Sequence, residues 1–176
     1  MAATRKYSAV GSAWLGALNW EEAAQALVRL PVVIPVGGSA VEHGPHLPYD
    51  TDRVITTALA DAVADRTPVL VAPPVDYVYA PELAAEGGTV SLGPESFLGL
   101  IGDVIRSLAR HGAQHVVLIE RGPGLLAPLN ILSREMHQGL GITVAVASSE
   151  GAAHEVRSHL IDNLSGEHAG AESRHR

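Results

Sequence analysis

Val32-Val33-Ile34-Pro35-Val36-Gly37-Gly38 is apolar throughout before it ends in two glycines, and Glu42-His43-Gly44-Pro45-His46-Leu47-Pro48-Tyr49-Asp50-Thr51-Asp52 follows three residues later. A strand with one wet face alternates apolar and polar residues. One that is apolar at every position is covered on both faces, as in a parallel sheet held between helices. The glycines release the chain into a loop that crowds carboxylates and imidazoles around two stiffening prolines. A polar loop at the end of a buried strand suits metal or proton chemistry.

Outward from this strand the pattern repeats. Trp20 to Leu30 predicts a helix, with Asn19 as its N-cap, acids in its first turn and Pro31 at its end. From Arg53 to Arg66, Val54, Ile55, Ala58, Leu59, Ala62 and Val63 recur at steps of three and four, which places them on one helical face. Val69 to Ala72 reads as a second strand stopped by Pro73 and Pro74, and Thr89 to Leu92 as a short third one. Pro94 opens a helix carrying Phe97, Ile101, Val104, Ile105 and Leu108, which runs to His111-Gly112. His115 to Ile119 is a strand, Leu125 to Leu140 a helix and Ile142 to Val146 a strand. Alternation of this kind predicts an α/β fold, a three-layer α/β/α sandwich with a mostly parallel central sheet. Ligands of such sheets collect at the carboxyl ends of the strands, where the loops after Val36 and Ile119 lie.

The chain has 176 residues, enough for one domain of roughly 100–200 residues. A formal net charge of −7, with no cluster of Lys and Arg, argues against nucleic acid as a partner. The chain has no cysteine, so disulfides, thiolate ligands and a cysteine nucleophile are excluded, and any metal must rest on His and carboxylates. No apolar run has the length of a signal peptide or a membrane span, so the expectation is a soluble, cytoplasmic protein without a membrane partner.

His43 and Asp52 lie nine residues apart, with Glu42 and His46 alongside, and these are the ligand types for zinc or manganese. The structural alternative is that His46 and Asp50 are solvated and that Asp52 caps the helix beginning at Arg53. Glu167-His168, with Glu172 nearby, forms a second candidate pair for general acid/base work.

The segments Pro35-Val36-Gly37-Gly38-Ser39, Glu42 to Pro48 and Thr51-Asp52 together resemble the signature loop of the creatininase (creatinine amidohydrolase) family, G-S-x-E-Q-H-G-P-H-L-P-x-x-T-D. Gly88-Thr89-Val90-Ser91-Leu92 is similar to its G-T-x-S-L segment, and His168-Ala169-Gly170 to its H-A-G segment. The resemblance implies a single creatininase-like domain over residues 1–176, shortened at the C-terminus. It also implies a two-metal hydrolase site, with zinc or manganese and no organic cofactor, that opens cyclic or linear amides. Asp52 would be the bridging carboxylate, His43 a terminal ligand, and Glu167-His168 the proton-transferring pair. The family forms oligomers, so a homo-oligomer is expected, including assembly with an active relative.

The ligand pattern is reduced. The family's loop Glu falls on Val41, its N-G-H-G-G-N or N-G-H-x-E-N segment falls on Glu120 to Leu125 so that the ligand His becomes Gly122, and Gly124 stands where some members carry a Glu. The family's S-x-E-H segment reads Ala80-Pro81-Glu82-Leu83. Arg121, on the loop that faces the metal centre in the family layout, can hold a carboxylate or enolate; alternatively, Glu120 and Arg121 form an exposed pair of little consequence. Three functions follow. The first is an enzyme acting on a small polar metabolite, by C–N hydrolysis or a related ring-opening, ring-closing or elimination step. It would have a reduced or absent metal site and use Glu42, His43, Asp52, Arg121, Glu167 and His168. The second is a divalent-metal-dependent amidohydrolase with Glu42 and either His46 or His168 as replacement ligands. The third is a non-catalytic partner or scaffold subunit.

Overall fold

The buried run forms strand β2, Val32–Gly37, and every one of its residues is buried. The computed structural model, which describes residues 6–149, pairs it with parallel strands on both sides. In chain order the remaining elements are β1 (Ala13–Trp14), α1 (Trp20–Arg29), α2 (Thr51–Ala64), β3 (Leu70–Val71), α3 (Pro94–Arg110), β4 (His115–Arg121), α4 (Leu126–Leu140) and β5 (Thr143–Ser148). The strands make one parallel sheet in the order β1-β3-β2-β4-β5.

Successive side chains of a strand point to opposite faces, and the two cores follow that alternation. Val32, Ile34 and Val36 of β2, with Leu118 of β4, pack against Ala26 and Leu27 of α1, Phe97, Ile101 and Ile105 of α3, and Leu129 and Leu132 of α4. Val33 and Ile119 face the other way, onto Ala60 and Ala64 of α2. Helices therefore cover both faces, as an unbroken apolar strand requires, and the three-layer sandwich is present.

Several element boundaries differ from the sequence expectation. Asn19 does cap α1, in a reciprocal box with Glu22 at 3.0 Å in each direction. Helix α2, however, starts at Thr51, so Asp52 sits inside its first turn and is not its cap. Strand β3 keeps two residues, because Pro73 and Pro74 cannot donate to a ladder. Thr89 to Leu92 is not a strand; it contributes a single bridge, Ser91 with Val78, and its hydroxyls bind neighbouring loops instead. Strand β1 escaped the sequence pattern because two residues carry no period. Buried Ser12 beside it accepts from the N–H of Val69 at 3.1 Å, while its own hydroxyl lies 2.7 Å from the carbonyl of Ala64. Among the described residues no helix is long and apolar enough to cross a membrane.

The connections leaving two neighbouring strands diverge at one place. From β2 the chain crosses by α2 to β3 on one side, whereas from β4 it crosses by α4 to β5 on the other. The loops leaving β2 and β4 diverge, and the crevice between these adjacent strands is the switch point at which ligands bind in such sheets. The ends of the two strands are in register, Gly37 opposite Arg121.

Gly37 also sets the approach of α2. A Cβ at this position would stand 2.5 Å from the carbonyl oxygen of Asp52 and 2.8 Å from Oγ1 of Thr56, so only glycine lets the helix start rest on the strand end. Gly37→Ala is expected to destabilise by about 1–3 kcal/mol in urea unfolding through this overpacking. Gly99→Ala, at an exposed site in α3 where a Cβ meets nothing within 4 Å, is expected to stabilise by about 0.5–1 kcal/mol. Equal and small effects of the two changes would contradict the close approach.

Candidate active site

At the switch point four groups form one row. The carbonyl of Val41 accepts from Nδ1 of His43 at 2.7 Å, Nε2 of His43 lies 3.0 Å from Oδ1 of Asp52, and Nε of Arg121 donates to that same oxygen at 2.9 Å. The three side chains come from the loop after β2, the first turn of α2 and the end of β4. Alternation along β4 puts Arg121 on the face of Ile119, the face that α2 covers, and Glu120 on the opposite one.

The electrostatics follow from burial. Asp52 is 3% exposed, and a carboxylate so far from water persists as a charge only where positive or donor groups meet it. It has the N-terminal turn of α2, Arg121 and His43. A carbonyl can only accept, so Nδ1 of His43 carries a hydrogen. Nε2 then attracts the carboxylate only if it is protonated too. The hydrogen bond to Asp52 accordingly raises the His43 pKa above its ordinary 6.5, against the opposing effects of burial and of the Arg121 charge.

The surrounding loops hold this row in place. Oγ1 of Thr89 accepts from the N–H of Glu42 at 3.1 Å, the N–H of Val90 donates to the carbonyl of Ala40 at 2.8 Å, and the Tyr49 hydroxyl bonds the carbonyl of Gly87. Oγ of Ser91 accepts from the N–H of Ala80 at 2.9 Å. The two sequence signatures that resembled one family thus meet in space, the second bracing the first.

Of the residues singled out from sequence, His43, Asp52 and Arg121 converge. Glu42 does not join them, because its carboxylate turns back onto the N–H of Gly44. His46 is exposed, and Asp50 pairs with Arg53. Glu120 is 1% exposed, so it forms no surface pair with Arg121. Glu167, His168 and Glu172 lie outside the described residues. Sequence reading named Glu82 only within the reduced S-x-E-H segment and gave it no place in the site; its Oε1 lies 2.9 Å from where a Cβ on Gly124 would stand. Its signal was an acid on the loop that leaves β3 at the same edge of the sheet.

The described residues do not fit a two-metal centre. Zinc sites need three or four protein ligands, and among these residues no group of three His, Asp or Glu side chains could hold a metal ion. Val41 is 1% exposed and packed onto Gly38. A Cβ on Gly122 would lie 3.7 Å from Oδ2 of Asp52, but Cδ1 of Leu125 already stands 3.1 Å from it. Beside Gly124 the nearest group is the carboxylate end of the exposed Glu82.

The family model described as creatinine amidohydrolase matches residues 16–172. Creatinine amidohydrolase of Pseudomonas putida is 34% identical over 119 residues, 61% of this chain and 44% of that protein. A mycofactocin precursor peptide peptidase of Mycolicibacterium smegmatis is 31% identical over 146 residues, 77% of this chain and 59% of that protein. The matches therefore span between two fifths and three fifths of the length of these two relatives. Among solved structures, a mutant creatininase of zinc–zinc type superposes with a TM-score of 0.74 at 26% identity, over 90% of this chain and 68% of that one.

The raised pKa of His43 has a definite consequence for stability. The contribution of its pairing is fully present below the unfolded-state pKa, about 6.5, and is lost as pH rises through the higher folded-state value. The difference in unfolding free energy between the wild type and His43→Gln should therefore shrink on going from about pH 6 to alkaline pH. In an NMR titration the His43 pKa should fall in Asp52→Asn. A difference that stays constant with pH, or a His43 pKa that ignores Asp52→Asn, would contradict the pairing.

Proposed function

The chain belongs to the creatininase family, and from that premise we propose that it is a hydrolase of C–N bonds in a small polar metabolite, with the metal site reduced or absent. The observation that supports this best is the hydrogen-bonded row His43–Asp52–Arg121 at the switch point of the sheet. Relatives named as an amidohydrolase and a peptidase both act on amide-type bonds, which favours that reaction class.

Hydrolysis adds the hydroxyl of water to the carbonyl carbon and its proton to the leaving nitrogen. With Nδ1–H held on the Val41 carbonyl, the His43 ring that has lost its Nε2 proton is the acceptor: Nε2, oriented by Asp52, takes the proton as the C–O bond forms and returns it to nitrogen as the C–N bond breaks. Arg121 places a fixed positive charge beside the oxygen on which negative charge develops. A second reading, a non-catalytic homologue serving as partner or scaffold within a homo-oligomer or beside an active relative, is favoured by the side chains that fill the old ligand positions.

Turnover of a panel of lactams, creatinine and short peptides separates the two readings. On the substrate that is turned over, Asp52→Asn and His43→Gln should each lower kcat/KM by about 10²–10⁴-fold. Turnover that survives both changes would refute the assignment, and a fully folded wild type inert across the panel would favour the scaffold.

A further inference from the structure

A divalent cation in this family's site balances carboxylate charge and polarises the substrate oxygen. In this chain one side chain is placed for both tasks. We infer that Arg121 stands in place of the metal: its Nε neutralises Asp52, its two Nη groups receive the carbonyl or carboxylate oxygen of the substrate, and the crevice works without a divalent ion.

Four observations carry this. First, Oδ1 of Asp52 already has two nitrogen partners, His43 at 3.0 Å and Arg121 at 2.9 Å, so a metal bound to that oxygen must displace one of them. Second, a guanidinium in contact with the same carboxylate repels a divalent ion, since Arg stays charged at any working pH. Third, side chains of other residues close the approaches from which further ligands would come. Leu125 is packed at Gly122, and a methyl of Val41 lies against Gly38. Gly122 and Gly124 themselves offer no side chain that could coordinate an ion. Both also have positive φ, +143° and +79°, which disfavours any replacement that would restore one.

Fourth, Arg121 is only partly used. Its side chain is 26% exposed, against 4% for that of Asp52, and its Nη groups make no hydrogen bond to any described residue. Nε of the guanidinium is therefore anchored on Asp52 while its Nη fork makes no hydrogen bond among the described residues. That fork matches the two lone pairs of a carboxylate or of a polarised carbonyl. The substrate class this selects carries a carboxylate or amide oxygen next to the bond that is cut, and it binds as an anion or a dipole rather than as a metal chelate.

The proposal rests on reading this crevice as the reaction site, but its test does not use turnover, so the two can fail separately. Protein purified without chelators is analysed for zinc, manganese and iron, and its Tm is read with and without EDTA, zinc chloride or manganese chloride. The expected result is substoichiometric metal and a Tm unmoved by any of the three additions. Stoichiometric metal whose removal lowers Tm overturns the proposal. Acetate serves as the anion probe: it should raise the Tm of the wild type and leave that of Arg121→Gln unchanged, whereas equal shifts in both overturn the second half of the proposal. Arg121→Lys guards against a variant that fails to fold. It keeps the charge without the fork, and it should retain most of the wild-type Tm with a smaller acetate shift; an undiminished acetate shift counts against the fork.

Discussion

Asp52 is a carboxylate held out of water at the point where a helix begins on top of a strand end. Its backbone sits there because Gly37 has no side chain, and its charge is tolerated because Arg121, His43 and the turn of α2 surround it. Removing the glycine displaces the carboxylate, while removing the partners leaves a buried charge without compensation. The loop that carries His43, the register of β2 with β4 and the bracing by Thr89 all converge on keeping those partners within hydrogen-bond reach. Fold and site are thus one arrangement at this edge of the sheet.

How much of this was legible in the sequence depended on whether a feature was local. Strand β2 and helix α3 announced themselves because an unbroken apolar run and a three-and-four spacing are properties of neighbouring residues. Strand β1 was invisible, since two residues have no period and Ser12 makes its contacts some fifty positions away. The stretch Thr89 to Leu92 looked like a strand from its residue types, but its hydroxyls serve other loops. In the site, three of the residues singled out from sequence come together, His43 and Arg121 each lying within hydrogen-bond reach of Asp52. The direction of Glu42 was not legible, because a hydrogen bond to the N–H two residues ahead competes with any reach into the crevice. Nor could the sequence tell that Leu125 and Glu82 stand beside Gly122 and Gly124, which is a matter of tertiary packing.

On the proposed reading, the family scaffold is kept while the family's metal chemistry is not, and the two separate along a physical line. The sheet order, the switch point and the bracing segments depend on apolar pattern and glycine placement, and these persist. A metal centre depends on several donors aimed at one point, and the loss of any two leaves too few for tight binding. On the proposed reading, Val41, Gly122 and Gly124 stand where the family signature carries donors, and the burden of charge compensation falls on Arg121. A guanidinium is a natural substitute, being permanently charged and able to bind a carboxylate on one edge and a second oxygen on another.

The most direct measurement is an anomalous-difference map collected at the zinc and manganese absorption edges from crystals grown without chelator. With Arg121 as the resident cation, no peak lies within coordination distance of Nε2 of His43 and Oδ1 of Asp52, and Nε of Arg121 remains hydrogen-bonded to Asp52. A peak joining His43 to Asp52, with Arg121 turned away, would contradict it.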